Sequence, residues 1–342
     1  MSISRVTWPG RVEALARLDP KVVLAFAAIY LLWGATFLAI RVTVLEVPPL
    51  FAGGLRFLIA GAVLYAIARL RGRPSPVPRE WRTLAVVSLC MFVATYAALF
   101  WAAQFVPSGI TSVIEATLPL TTVVLEVAVF RQQPFRWRTA AAVVLGFLGV
   151  AILLLTGDRA PVPVLPCLAI LGAGVAWSLG AVLTRTMPRP QSAALTAGAQ
   201  MMLGGAALLL LSVASGELAS PPHIPARAAL AILYLIVAGS LVAYTAYIWL
   251  LARMPATQVA SHAYVNPLVA VALGYFIAGE PLTPRMLLAA ALVVGGVFLV
   301  LSPSPPRRAE PATQPRRATT CQSSENGAPR FAARSGTSTS AT

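Results

Sequence analysis

Four ionisable side chains lie deep inside long apolar blocks of this sequence. They are Arg56, Glu115, Glu126 and His262. If these blocks cross a membrane, such groups are costly to bury and by default mark a binding or ion-coupling site. Their chemistry would be to hold a counter-charge, a polar solute or a proton. The argument therefore depends on which faces of which helices carry them.

The block that contains both glutamates has a polar stripe. Glu115, Pro119, Thr122 and Glu126 stand at offsets of 0, 4, 7 and 11. At about 100° per residue, a helix places all four within roughly 40° of one another. We expect this stripe to face the bundle interior or a watery cavity. Pro119 should also free a backbone carbonyl and kink the helix.

The predicted depth of each charged residue in the membrane suggests its role. Arg56 and Glu115 both lie towards the predicted outer ends of their blocks, so they can form an ion pair. Glu126 lies about 16 Å deeper at roughly 1.5 Å per residue, and an unpaired buried carboxylate tends to bind a proton. We predict Glu126 as the proton carrier, or Glu115 if Arg56 binds an anionic substrate instead. The alternative for Glu126 is that it reaches water or Arg131 at the inner interface.

The ninth block offers neutral polar groups. Gln258, His262 and Asn266 recur at every fourth residue, which is helical spacing. We predict that His262, Asn266 and Gln200 form the neutral side of the substrate or coupling site whose charged side is described above. His262 can titrate near neutral pH, and its alternative role is a structural hydrogen bond.

Aromatic residues also lie within the blocks, and we predict that Trp33, Tyr96, Trp177 and Tyr244 line a cavity. Membrane Trp and Tyr ordinarily form belts at the interface, but Trp33 and Trp177 lie near the middle of their blocks. Indole and phenol faces can bind an apolar or a cationic solute. Helix packing is the plainer alternative.

The composition requires a membrane for these blocks. Hydrophobic residues make up 58% of the 342 residues and charged residues only 11%, whereas soluble domains carry about 25% charged residues. A span needs about 20 mostly apolar residues. Ten such blocks occur, near 22–42, 50–70, 83–103, 108–130, 137–156, 164–184, 193–215, 228–250, 256–278 and 284–303. The predicted fold is an all-α integral membrane protein with ten transmembrane helices.

The net charge of +15 indicates orientation rather than a nucleic-acid partner. With a cytoplasmic amino terminus, the loops and edges predicted outside hold only Arg41, Arg159, Arg227 and Arg285. The positive-inside rule then places both termini in the cytoplasm, and we expect the protein in the plasma membrane. Residues 1–21 form a cytoplasmic segment, and residues 304–342 have the composition of a disordered tail. The scattered cysteines indicate neither a disulfide nor a zinc site, and we predict no metal and no cofactor.

The two halves of the chain repeat each other. Tyr96, Trp101, Pro107, Pro119 and Leu120 recur with identical spacing as Tyr244, Trp249, Pro255, Pro267 and Leu268. We therefore predict two five-helix repeats, 22–156 and 164–303, with Pro267 kinking the ninth helix as Pro119 kinks the fourth. Because five spans are an odd number, the second repeat enters the membrane from the opposite side, as in many secondary transporters.

This pattern resembles the drug/metabolite transporter superfamily, and specifically its ten-span EamA type, over residues 22–303. The resemblance is carried by Trp33-Gly34, Phe37, Pro48, Arg56, Pro119, Pro267 and Gly279-Glu280. It implies export of a metabolite, amino acid or drug by proton coupling or exchange, without an ATPase. The family usually has a glutamate where this chain has Gln133. Since the second repeat keeps Glu280, we interpret this position as a helix-end feature and not as coupling chemistry.

Other function classes fit less well. A membrane-embedded enzyme would need a zinc motif, a Ser-Lys pair or intramembrane aspartates, and the sequence has no HExxH, no aspartate in a block and a single lysine, Lys21. An ATP-driven pump would need a P-loop, which is also missing. We predict a secondary exporter of a small molecule, with a non-transporting membrane scaffold or sensor as the alternative. The residues do not predict the substrate, the coupling ion or the oligomeric state.

Overall fold

The computed structural model describes residues 19–131, 137–155 and 163–301, and every regular element in these ranges is helical. We number the helices by span as α1 Pro20–Val44, α2 Pro49–Leu70, α3 Pro78–Ala102, α4 Ser108–Val129, α5 Trp137–Leu155, α6 Val164–Thr186, α7 Ala193–Ala214, α8 Ala226–Leu251, α9 256–278 and α10 Pro284–Leu301. The predicted tail 304–342 and nearly all of the segment 1–21 lie outside the described residues.

The helices have the lengths and surfaces of membrane spans. Eight of them are long and apolar enough to cross a bilayer, and α5 and α10 carry shorter apolar stretches, Ala140–Ile152 and Pro284–Gly296. Large apolar side chains cover the outside of the bundle, for example Leu24 at 72% and Phe276 at 81% exposure. Such a surface suits lipid and not water. The prediction of an all-α integral membrane fold with two five-helix repeats is confirmed.

Proline begins several of these helices. α1, α2 and α3 have Pro20, Pro49 and Pro78 in the first helical turn. A proline costs little there, because the amide hydrogens of the first turn have no partner within the helix and its fixed φ already suits a helix. These prolines therefore set the start of each span without weakening it.

The two repeats pack backbone against backbone through glycine. A Cβ atom added to Gly61 of α2 would lie 2.4 Å from the amide nitrogen of Met202, and one added to Gly205 of α7 would lie 2.3 Å from the amide nitrogen of Leu58. Gly61 and Gly205 occupy equivalent positions in the repeats. Small residues permit this close approach between membrane helices. The α2–α7 contact is thus a nearly symmetric junction between the repeats.

α4 and α9 are both interrupted at equivalent positions. In α4 the helix ends at Glu115 and resumes as Leu118–Val124, with Pro119 in its first turn. In α9 a short 3-10 segment, Ala260–Tyr264, precedes Asn266–Ala278, with Pro267 in the first turn. Proline removes a backbone hydrogen bond and clashes with the preceding turn. The two repeats therefore break the same helix at the same place.

α3 and α8, the corresponding helices of the two repeats, also depart from regular α-helical geometry. Each contains a π-helical turn, Leu89–Ala94 in α3 and Leu235–Tyr244 in α8. π-helical turns are rare and often adjoin functional sites. Here they immediately precede or include the two tyrosines, Tyr96 and Tyr244, that the repeat pattern singled out.

Glu280 joins the end of α9 to the start of α4. Its carboxylate accepts hydrogen bonds from the amide of Ser108 at 2.8 Å, the hydroxyl of Ser108 at 2.9 Å and the amide of Gly109 at 3.1 Å. The first amides of a helix have no partner within the helix, and they favour negative charge. The interpretation of Glu280 as a helix-end feature is confirmed, and the cap comes from the other repeat.

Candidate functional site

A central cavity lies where the interrupted helices α4 and α9 meet. Its walls come from α1, α3 and α4 of the first repeat and from α6 and α9 of the second. The empty volume is about 460 Å³, of which about 50 Å³ can be reached by the centre of a water molecule. One water needs roughly 10–15 Å³ by this measure. In this conformation the cavity therefore has room for a few waters or a small polar group.

The cavity brings together six of the ten side chains that the sequence proposed for the site and for its aromatic lining. These are Glu115, His262, Asn266, Trp33, Tyr96 and Trp177. They come from five different helices, and their separation along the chain is large. Glu115 and His262 stand directly beside the breaks in α4 and α9. The breaks thus supply the polar part of the wall.

Two indole rings form much of the aromatic part of the wall, and Tyr247, which is not itself a lining residue, packs against both. The ring of Trp33 lies 5.6 Å from that of Trp177 at an interplanar angle of 84°, and 5.0 Å from that of Tyr247. The indole N–H of Trp33 donates to the carbonyl of Gly239 at 3.0 Å, and that of Trp177 donates to the hydroxyl of Tyr247 at 3.0 Å. Because both N–H groups are used within the protein, the indoles offer the cavity mainly their ring surfaces.

Two polar atoms of the wall are left without partners. Glu115 Oε1 is buried and has no hydrogen-bond partner among the described residues. The same holds for His262 Nε2 within the described ranges, and the ring of His262 packs 5.0 Å from that of Trp33. Leaving a buried polar atom unpaired costs about 1–3 kcal/mol. Such atoms in a cavity wall are therefore candidate contacts for a solute or a proton.

The hydrogen bonds of Asn266 define the role of His262. With its amide oxygen towards His262 Nδ1 at 3.0 Å, the NH₂ group of Asn266 donates to the carbonyls of His262 at 3.1 Å and Tyr30 at 3.0 Å. This orientation satisfies every contact of the amide. In a neutral imidazole the proton is then on Nδ1, and Nε2 is an acceptor.

Arg56 does not form the expected ion pair. In the described part of the chain no salt bridge joins it to Glu115, and the prediction of that pair is wrong. Arg56 is 1% exposed, and its Nε donates to the hydroxyl of Ser240 in α8 at 2.9 Å. The guanidinium carbon lies 4.5 Å from the ring centre of Phe57 and 5.3 Å from that of Tyr96. These contacts hold the charge between α8 and the rings of Phe57 and Tyr96, and Arg56 is not among the residues that line the cavity.

Gln200 and Tyr244 repeat this arrangement in the second half. The hydroxyl of Tyr244 donates to Gln200 Oε1 at 2.8 Å, and both side chains are buried. Gln200 is the repeat counterpart of Arg56, and Tyr244 that of Tyr96. The ring of Tyr244 contacts Trp177 at 6.0 Å. Both residues thus support the cavity wall from behind.

Glu126 lies elsewhere in the bundle. It is 2% exposed and belongs to the π-helical turn Leu125–Val129 at the end of α4. The described residues that line the cavity do not include it, and it makes a contact of its own. Pro119 and Thr122 are buried too, so the predicted stripe faces the interior, but only Glu115 reaches the cavity.

Sequence reasoning missed Tyr247. This residue is 1% exposed and contacts Trp33, Trp177 and His262. Two signals were available, because Tyr247 follows Tyr244 by one helical turn and its repeat counterpart, Leu99, lines the cavity. Sequence reasoning also missed Thr36 and Thr95, which line the cavity. Threonines are common in membrane helices, and nothing in their spacing distinguished these two.

The described side chains offer no metal site. In the ranges given above, no three His, Cys, Asp or Glu side chains come together in a way that could hold a metal ion. The chemistry available at the cavity is therefore that of a carboxylate, an imidazole, an amide and aromatic faces. This set can bind a polar solute and exchange a proton.

Comparison with known proteins agrees with this architecture. A model of the EamA-like transporter family matches the chain twice, over residues 20–155 and 164–302. The inner membrane transporter YedA of Escherichia coli (strain K12) is 33% identical over 280 residues, which cover 81% of this chain and 89% of YedA. A Salmonella typhimurium protein named "Probable amino-acid metabolite efflux pump" is 27% identical over 284 residues, covering 79% of this chain and 91% of that protein.

A solved crystal structure shares the fold. It superposes with a TM-score of 0.60 at 21% identity and covers 82% of this chain and 96% of that chain. The family match spans both repeats, and the cavity lies where the repeats meet. The chain therefore belongs to the EamA-like transporter family and is a multi-pass membrane transporter.

Proposed function

We propose that this transporter is a secondary active exporter of a small metabolite, amino acid or drug that works by alternating access. The observation that carries the proposal is the central cavity between two helices, one from each repeat, that are broken at equivalent positions. Secondary transporters bind their substrates at such breaks near the membrane midplane. The efflux relative supports the outward direction. We place the protein in the plasma membrane with both termini in the cytoplasm, and we assign it no enzymatic activity.

The small volume of the cavity in this conformation agrees with alternating access. Only about 50 Å³ can be reached by the centre of a water molecule, whereas small-molecule sites usually have roughly 300–1,000 Å³. The repeats must therefore move apart on one side to admit a solute. The glycine junction of α2 and α7 gives them a rigid contact about which to rock.

We further propose Glu115, and not Glu126, as the coupling carboxylate. Glu115 Oε1 is buried in the cavity wall without a partner among the described residues. The titratable groups around it are Tyr96 of α3 and His262 of α9, with Arg56 of α2 beyond Tyr96. α6 presents the backbone of Gly174, where an added Cβ would lie 3.9 Å from Oε1. An unpaired carboxylate in such apolar surroundings tends to bind a proton.

The test uses the full chain in proteoliposomes and a broad panel of metabolites and drugs. The panel is chosen from compounds whose extracellular level differs between deletion and overexpression strains. We expect at least one compound to accumulate against its gradient when a pH difference is imposed, and accumulation to stop when an ionophore collapses that difference. A panel in which nothing moves under any gradient would remove the exporter proposal and favour a scaffold or sensor.

A further inference from the structure

We propose that the central cavity binds the protonated amino group of a small organic amine that lacks a carboxylate. This inference rests on the proposed export function and names the substrate class of that same cavity. It follows from which hydrogen-bonding atoms of the wall are free and which are already used.

The free atoms of the wall are acceptors. Glu115 Oε1 and His262 Nε2 have no partner in the part of the chain that the structure describes, and both residues line the cavity. The hydrogen bond of Asn266 to Nδ1 leaves Nε2 without a proton in the neutral ring. A primary ammonium group carries three donors and no acceptor. It can therefore donate a hydrogen bond to either atom.

The donors of the wall are largely occupied. The hydroxyl of Thr36 donates to the carbonyl of Trp33 at 2.6 Å, and that of Thr95 donates to the carbonyl of Cys90 at 2.9 Å. The N–H groups of Trp33 and Trp177 donate to Gly239 and Tyr247. The remaining wall hydroxyl, that of Tyr96, has the Arg56 side chain as a hydrogen-bond partner. A carboxylate or phosphate would therefore find few donors in this cavity.

The aromatic faces favour the same charge. Trp33 and Trp177 both line the cavity, with ring centres 5.6 Å apart. A cation over an indole face is attracted by the ring electrons, and more strongly when it is desolvated. The carboxylate of Glu115 supplies the compensating negative charge that a buried cation requires.

Arg56 is the feature that favours the alternative substrate class, zwitterionic amino acids. Its NH1 atom has no partner among the described residues and would suit a substrate carboxylate. However, the guanidinium is already held by Ser240 and by the Tyr96 side chain, and Arg56 is not among the residues that line the cavity. The geometry therefore favours an amine over the corresponding amino acid.

The test compares three ligands that share one side chain: 2-phenylethylamine, phenylalanine and 3-phenylpropionate. A second set, isobutylamine, valine and isovalerate, covers a smaller size. Binding to the purified full chain is measured by isothermal titration calorimetry, which is insensitive to the leak of neutral amines through lipid. We expect the amine to bind at least about tenfold more tightly than its amino acid or acid, because hydrogen bonds to charged groups are stronger than those between neutral groups.

Amino-acid substitutions test whether the amine binds in the cavity. Glu115→Gln is expected to abolish the preference for the amine, and Glu115→Asp to retain it with weaker affinity. Glu46→Gln is the matched control, since Glu46 is exposed outside the spans. Equal or tighter binding of the amino acid or acid, or a preference for the amine that survives Glu115→Gln, would overturn the inference. Failure of both amines in a protein that transports another solute would overturn it while sparing the export function, whereas a protein that moves nothing fails the function itself.

Discussion

Glu115→Gln is expected to reduce proton-driven transport to the level of protein-free liposomes. Glutamine keeps the size of the side chain but cannot bind and release a proton. A proton gradient can therefore no longer drive transport in this variant. Exchange of substrate for substrate should persist where binding is retained, because exchange needs no net proton movement. The measurement is solute accumulation at a series of imposed pH differences, with exchange measured in the same liposomes.

Two further variants make this result specific. Glu46→Gln carries the same chemical change at an exposed site and should transport like the unaltered protein. Glu126→Gln discriminates between the two buried carboxylates, since Glu126 lies outside the cavity in the π-helical turn of α4. If Glu126→Gln loses gradient-driven transport while Glu115→Gln keeps it, the coupling role belongs to Glu126.

The double substitution Gly61→Ala and Gly205→Ala is expected to cause a large loss of stability. The added Cβ atoms would lie 2.4 Å and 2.3 Å from backbone nitrogen atoms of the facing helix, so α2 and α7 must separate. Overpacking of this kind costs about 1–3 kcal/mol at a site, occasionally more. The check is the thermal unfolding midpoint in detergent together with the monodisperse fraction on size exclusion.

Gly172→Ala is the matched control for that experiment. Gly172 lies in α6 with nothing within 4 Å of an added Cβ, and alanine has the higher helix propensity by about 1 kcal/mol. This variant should be as stable as the unaltered protein or slightly more so. If all three substitutions leave the midpoint unchanged, the α2–α7 junction is looser than the structure indicates.

The sequence predicted the helical frame well because its signals are local. Apolar block length predicts a span, and matched prolines predict where a helix is interrupted. The repeat pattern also predicts how two helices are related, which a single apolar block cannot do. Pro119 and Pro267 at equivalent positions imply two helix breaks that face each other. The sequence selected Glu115 and His262 as ionisable groups inside apolar blocks, and in the structure they lie beside these breaks and line the cavity.

The error over Arg56 has a physical cause. Depth along a span follows from sequence, but the direction of a long side chain around the helix axis depends on its neighbours. Arg56 could have turned towards α4, but Ser240 of α8 and the rings of Phe57 and Tyr96 hold it the other way. Ser240 is distant in sequence and has no repeat signal. Glu126 illustrates the same limit, because it shares a stripe with Glu115 but lies beyond the helix break.

The central claim is that one cavity between the repeats opens to each side of the membrane in turn. Its most direct test is the accessibility of a single cysteine, Thr36→Cys, in a protein whose Cys90, Cys167 and Cys321 are replaced by serine. Thr36 lines the cavity and is 6% exposed. A small, membrane-impermeant methanethiosulfonate is applied to right-side-out and inverted vesicles. Labelling from both sides, slowed by a transported solute, is the predicted result. Labelling from neither side or from one side alone, whatever gradient is imposed, would contradict alternating access at this cavity.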